Sequence, residues 1–159
     1  GVQTCALPIS IEDFTAAIKL APRFASAHVN RGRVWHCMGE DDRALADFDN
    51  AIRLDPASAK TWCNRGFVWR SKGDNDRAIA SFDESIRLDP SHVDAYVGRG
   101  NAWRSKGDYR RAIADYDEAI RLNPQYALAY RNRAAAWRGM GDLSRAITDD
   151  TEARGLDPS

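Results

Sequence analysis

Apolar residues fall on helical stripes that start and stop at regular places along the chain. Within residues 59–72, Trp62, Gly66 and Trp69 follow at steps of four and three; within 77–88, Ala78, Ile79, Phe82, Ile86 and Leu88 keep a helical spacing. Both segments read as amphipathic helices. Between them Gly73 can take the left-handed conformation that ends a helix, and Asp74 is placed to cap the next one and favour its positive end. Asp89-Pro90 then stops the second helix, because proline disfavours helical geometry in the residue before it. The unit is helix, turn, helix.

That unit recurs. Trp35, Trp69, Trp103 and Trp137 stand 34 residues apart, and the same step aligns Gly32, Gly66, Gly100 and Ala134, then Ala44, Ala78, Ala112 and Ala146, then Pro56, Pro90, Pro124 and Pro158. Gly107-Asp108 and Gly141-Asp142 repeat the turn, while Gly39 is followed by Glu40 and Asp41, a weaker cap. A 34-residue period of this kind specifies a helical solenoid, in which each unit buries its apolar face only against its neighbours, and argues against a closed catalytic domain. A glycine inside a helix costs about 1 kcal/mol against alanine. Gly66 and Ala78 therefore predict a close approach of the two helices, with the tryptophan and Phe82 or Tyr116 filling the space around it.

The ends depart from the pattern. Residues 1–9, GVQTCALPI, share nothing with the repeat, and they back-translate onto a widely used short-read sequencing adapter; the expectation is that they are not native sequence. Phe14, Ala17, Ile18, Leu20 and Pro22 match Phe48, Ala51, Ile52, Leu54 and Pro56, so 10–24 reads as the second helix of a repeat whose first half is missing upstream. Full units are expected at 25–58, 59–92, 93–126 and 127–159. In the last, Asp150 follows Phe14, Phe48, Phe82 and Tyr116, and Arg154 follows Ile18, Ile52, Ile86 and Ile120. Terminal repeats need a wettable outer face, which makes 127–159 a candidate C-terminal cap.

Trp62, Gly66, Trp69, Ala78, Phe82, Ser85 and Pro90 resemble the motif of the tetratricopeptide repeat family, as do Tyr96, Gly100, Trp103, Ala112, Tyr116, Ala119 and Pro124. The resemblance covers residues 10–159 and implies an all-α fold, a right-handed α-solenoid of stacked antiparallel helix pairs. Two departures stand out. Arg31, Arg65, Arg99 and Arg133 occupy the usually apolar position before the glycine, and His28 replaces the first aromatic of its repeat. Asp49, Asp83 and Asp117 recur in step with the arginines. The column is therefore expected to make structural pairs with the partner helix, Arg65 with Asp83 among them, rather than a ladder for ligand.

Charge narrows the partners. Lys plus Arg and Asp plus Glu both total 23, so the net charge is zero and the global field that draws proteins to nucleic acid or anionic membrane is absent. No run approaches the roughly 18 apolar residues of a membrane span. Cys37 and Cys63 lack metal-ligand spacing and a C-x-x-C motif, and stand eight residues out of register. They are expected to be inert thiols, as in a reducing compartment. On that basis a cytoplasmic setting is favoured, although any targeting segment would lie in the missing N-terminus.

In tetratricopeptide proteins the face of each first helix opposite the Trp and Gly lines a concave groove, so the resemblance implies a peptide-binding groove here. On this face His36, Arg70, Arg104 and Arg138 form a basic row, with Arg33, Lys60 and Arg131 nearby, Phe67 among them and Asp94 the single acid. An acidic segment or a C-terminal carboxylate would suit it. Asn30, Asn64 and Asn132 recur at the groove's edge, interrupted by Gly98, with Asn101 one turn on. Carboxamides of this kind can bond a peptide backbone without reading its side chains, as in the asparagine ladders of some tetratricopeptide superhelices. The full Lys and Asn set of carboxylate-clamp co-chaperones is not evident.

His28, His36 and His92 fall in different contexts, and no Ser-His-Asp or Cys-His grouping recurs. The expectation is a non-enzymatic protein-interaction scaffold with no cofactor and no metal, binding a peptide or partner helix. The alternative is the substrate-recruiting or regulatory part of a larger enzyme, such as a transferase or protease. RNA binding is disfavoured by the balanced charge.

Overall fold

The computed structural model describes residues 10–157. The reading of residues 1–9 as non-native, and Pro158 in the proline column, lie outside the described residues. The elements are α1 (Ile11–Leu20), α2 (Ala25–Cys37), α3 (Asp41–Leu54), α4 (Ala59–Ser71), α5 (Asn75–Leu88), α6 (Val93–Ser105), α7 (Tyr109–Leu122), α8 (Ala127–Gly139) and α9 (Leu143–Leu156). From α2 onward they form antiparallel hairpins packed side by side, an all-α solenoid.

Each hairpin turn is built as the sequence predicts. Gly39, Gly73, Gly107 and Gly141 all have φ between 78° and 82°, the left-handed region where a side chain would be strained. Asp74, Asp108 and Asp142 accept from the backbone N–H of Arg77, Arg111 and Arg145 at 3.0, 3.1 and 3.0 Å. Glu40 makes no such bond. Arg43, Arg77, Arg111 and Arg145 lie over the rings of Trp35, Trp69, Trp103 and Trp137, 4.5–4.7 Å from the centroids. The Trp column is thus closed from the solvent side by a cation on the next helix.

Inside each hairpin, Ala44, Ala78 and Ala112 have no exposed surface, and Phe48, Phe82 and Tyr116 are covered almost completely. The glycines are small because of these rings. A Cβ on Gly66 would stand 2.7 Å from the Phe82 ring, and one on Gly100 2.7 Å from the Tyr116 ring. The predicted close approach is therefore that of an aromatic ring against the first helix.

Helices α2, α4, α6 and α8 touch one another in series as well as their hairpin partners, whereas α3, α5, α7 and α9 do not touch one another. Closer packing along one row bends the stack with that row inside. Leu45, Ile79 and Ile113 are at most 7 % exposed, but Ile147 in the same column is 64 % exposed, with nothing packed beyond α9 among the described residues. So α9 is polar at Asp150 and Arg154 yet apolar at Leu143 and Ile147.

The cysteine expectation is half right. Cys63 is free, buried to 2 % exposure, and burial pushes its thiol pKa far up. Cys37, at the exposed end of α2, is disulfide-bonded rather than an inert thiol.

Candidate functional site

The arginines before the glycine column are all engaged with other helices. Arg99 of α6 grips Asp115 of α7 through Nε (3.0 Å) and Nη2 (2.6 Å), and its Nη1 reaches back to Asp83 of α5 at 2.6 Å. Arg133 does the same with Asp149 (2.9 and 2.7 Å) and Asp117 (2.5 Å). Arg31 holds Asp47 through two bonds of 2.8 Å and donates to Thr15 of α1 at 3.0 Å. Burial opposes the Arg99 charge, but Asp115 and Asp83 outweigh it and hold the pKa above its ordinary value. Asp47, Asp115 and Asp149 are at most 6 % exposed. Each arginine staples its own hairpin to the preceding one.

This corrects the expected register: Asp83 pairs with Arg99, not Arg65. Arg65 donates to Asp49 at 3.1 Å and to Ser81 at 3.2 Å, Ser81 standing where the other rungs have a buried aspartate. His28 also finds its reason here. It is buried, and its Nδ1 lies 3.1 Å from Asp47 Oδ1, where Trp62, Tyr96 and Tyr130 in the other hairpins stack on Arg65, Arg99 and Arg133 instead.

The remaining candidate residues lie on the first helices of the hairpins: Asn30, Arg33 and His36 on α2; Lys60, Asn64, Phe67 and Arg70 on α4; Asn101 and Arg104 on α6; Arg131, Asn132 and Arg138 on α8. The basic row is not uniform. His36 Nδ1 lies 2.7 Å from Asp41, Arg138 pairs with Asp150, and Arg131 pairs with Asp157 at 3.0 Å. Asp94, the acid of this face, accepts from the Tyr126 hydroxyl at 2.8 Å. Arg70 and Arg104 stay without a carboxylate among the described residues, and Arg104 Nε is covered with no hydrogen-bond partner.

These two guanidinium groups share one neighbourhood. Arg70 lies over the Phe67 ring, 6.0 Å from its centroid, and Phe67 packs edge-on against Phe82 at 5.2 Å. Arg104 sits against Tyr116, whose hydroxyl donates to Asn101 Oδ1 at 2.8 Å. Arg70 is exposed as a whole residue, and partial desolvation of its guanidinium lowers its pKa, with the Arg104 charge lowering it further. Burial pushes Tyr116 up to about 12.

The asparagine column behaves differently from the arginines. Asn64 and Asn132 are half-buried, and in each the Nδ2 is covered without a partner. Such an orphan donor costs about 1–3 kcal/mol until something accepts from it. Gly98 breaks the column for a packing reason, since a Cβ there would lie 2.5 Å from the Phe82 ring. The open depression beside this face, about 390 Å³ and lined by Asp89, His92, Asp94 and Tyr126, is shallow. Among the described residues no group of three or more His, Cys, Asp or Glu is placed to hold a metal, and no helix is long and apolar enough to cross a membrane.

Tetratricopeptide repeat models match residues 59–92 and 7–62, and a TPR repeat model matches 100–141. No curated protein matches the chain. Among solved structures, MamA aligns with a TM-score of 0.84 at 22% identity, over 93% of this chain and 86% of that one. PilW, a type IV pilus biogenesis factor, aligns at 0.86 and 21% identity, over 93% and 69%. A MamA from Desulfovibrio magneticus RS-1 aligns at 0.84 and 16% identity, over 93% and 84%. These likenesses carry the fold. With the repeat columns, the hairpin stack and the three matched segments together, the chain belongs to the tetratricopeptide repeat family, whose repeats serve as protein-interaction scaffolds.

Proposed function

We propose that the inner face of α2, α4, α6 and α8 binds an extended peptide or a partner helix, and that it favours an acidic segment. The observation that carries this reading is the pair of covered, partnerless Nδ2 donors of Asn64 and Asn132, on the same face as the uncompensated Arg70 and Arg104. Carboxamides donating to backbone carbonyls would hold a peptide of any sequence, and the guanidinium groups would select acids along it. Asp94 keeps its charge while accepting from the neutral Tyr126 hydroxyl, so an acidic segment is favoured beside Arg70 and Arg104 rather than at the Asp94 end of α6. The helices present a preformed surface, and rotation of the half-buried carboxamides uncovers their Nδ2 donors as the peptide docks.

The test is titration of fluorescent hexaglutamate and hexalysine, followed by anisotropy, with wild type and Asn64→Ala/Asn132→Ala. Hexaglutamate binds wild type and hexalysine does not. In the variant the affinity for hexaglutamate falls about tenfold while denaturant stability stays equal or rises, because an orphan donor has been removed. Equal affinity in the variant, or a fall in stability that matches the loss of binding, contradicts the proposed role of the carboxamides.

A further inference from the structure

We infer that Arg70 and Arg104 form a subsite for a dianion, a phosphomonoester carried on a side chain of the bound peptide; this rests on the peptide-binding reading above. The pair is unusual within its own helices. The ladder arginines of α4 and α6, Arg65 and Arg99, reach acids on neighbouring helices, yet Arg70 and Arg104 meet none among the described residues. They stand at equivalent places on successive hairpins, close enough for each charge to act on the other, with the Tyr116 hydroxyl, which donates to Asn101, beside Arg104. The Phe67 ring, locked edge-on against Phe82, supports Arg70 from below. Arg104 Nε is a covered donor without an acceptor.

Charge and donor count favour a phosphoryl group over a carboxylate. One carboxylate brings a single charge and leaves the pair with a net positive charge in a crowded groove. A phosphomonoester brings about −1.5 to −2 at pH 7 and three acceptor oxygens, enough to accept from both guanidinium forks at once. Asp115 is ion-paired with Arg99, and Asp94 stands ten residues before Arg104, about 15 Å along α6 at 1.5 Å per residue, so neither opposes the anion closely.

Two pentapeptides test this: pentaglutamate, and the same peptide with phosphoserine at its centre, titrated at pH 7.5 and pH 5.5 with inorganic phosphate as competitor. The phosphoserine peptide binds at least tenfold tighter at pH 7.5. Its advantage shrinks at pH 5.5, as the phosphate passes its second pKa near 6 and loses a charge. In Arg70→Gln/Arg104→Gln, with the fold checked by circular dichroism, the advantage disappears at both pH values. Equal affinity for the two peptides overturns the dianion subsite and leaves the acidic-groove reading standing. Binding of the phosphoserine peptide alone supports the subsite and removes the general preference for acids. No binding of either peptide overturns both. Displacement by inorganic phosphate at the same affinity as the peptide overturns the assignment to a side chain.

Discussion

Two sets of arginines occupy the same helices and have opposite surroundings. Arg31, Arg99 and Arg133 each hold a buried aspartate on their own hairpin, and Arg65, Arg99 and Arg133 also hold an exposed one on the hairpin before. Arg70 and Arg104, five residues further along α4 and α6, meet no carboxylate among the described residues. A buried, paired guanidinium is committed to the structure, since removing it strands a buried anion. An unpaired one in a groove is poised for a charge that arrives from outside. The same residue type thus builds the scaffold in one register and, on the proposed reading, marks the site in another.

The first way to break this comparison is at the ladder. Arg99→Ala leaves Asp115 buried and alone, and should lower stability by about 3 kcal/mol in urea denaturation. A loss below 1 kcal/mol would remove the ladder from the account. Arg65→Ala should cost less, about 1–2 kcal/mol, because Ser81 leaves only a neutral hydroxyl behind. Ser81→Asp should convert that rung to the form of its neighbours, raising stability by about 1 kcal/mol; the gain should vanish in an Arg65→Ala background. Smallest of all is the expected stability effect at the groove: Arg70→Gln/Arg104→Gln should stay within about 0.5 kcal/mol of wild type.

The sequence shows why the ladder's columns are legible and its partners are not. Arg, Asp and Gly recur at the 34-residue step, and the turn chemistry of Gly73-Asp74 appears in the structure as read. Pairing Arg65 with Asp83 fails because positions 81 and 83 lie two residues apart on α5, about 200° around the helix. Position 81 therefore meets the first helix of its own hairpin, and 83 meets that of the next. Periodicity fixes the step but not which neighbour an arginine reaches. The evenness of the basic row misleads for a similar reason. Asp41, Asp150 and Asp157, which engage His36, Arg138 and Arg131, belong to other columns and come near only when each hairpin folds back on itself. Arg43, Arg77, Arg111 and Arg145 also recur at the 34-residue step, but their stacking on tryptophan emerges only from the turn geometry.

The division of labour between the two sets is tested most directly by the affinity of Arg70→Gln/Arg104→Gln for hexaglutamate, measured by anisotropy at low and at physiological salt. Unpaired guanidinium groups that select the ligand predict a fall of at least tenfold at low salt and a flatter salt dependence than wild type. Wild-type affinity with an unchanged salt slope would contradict it.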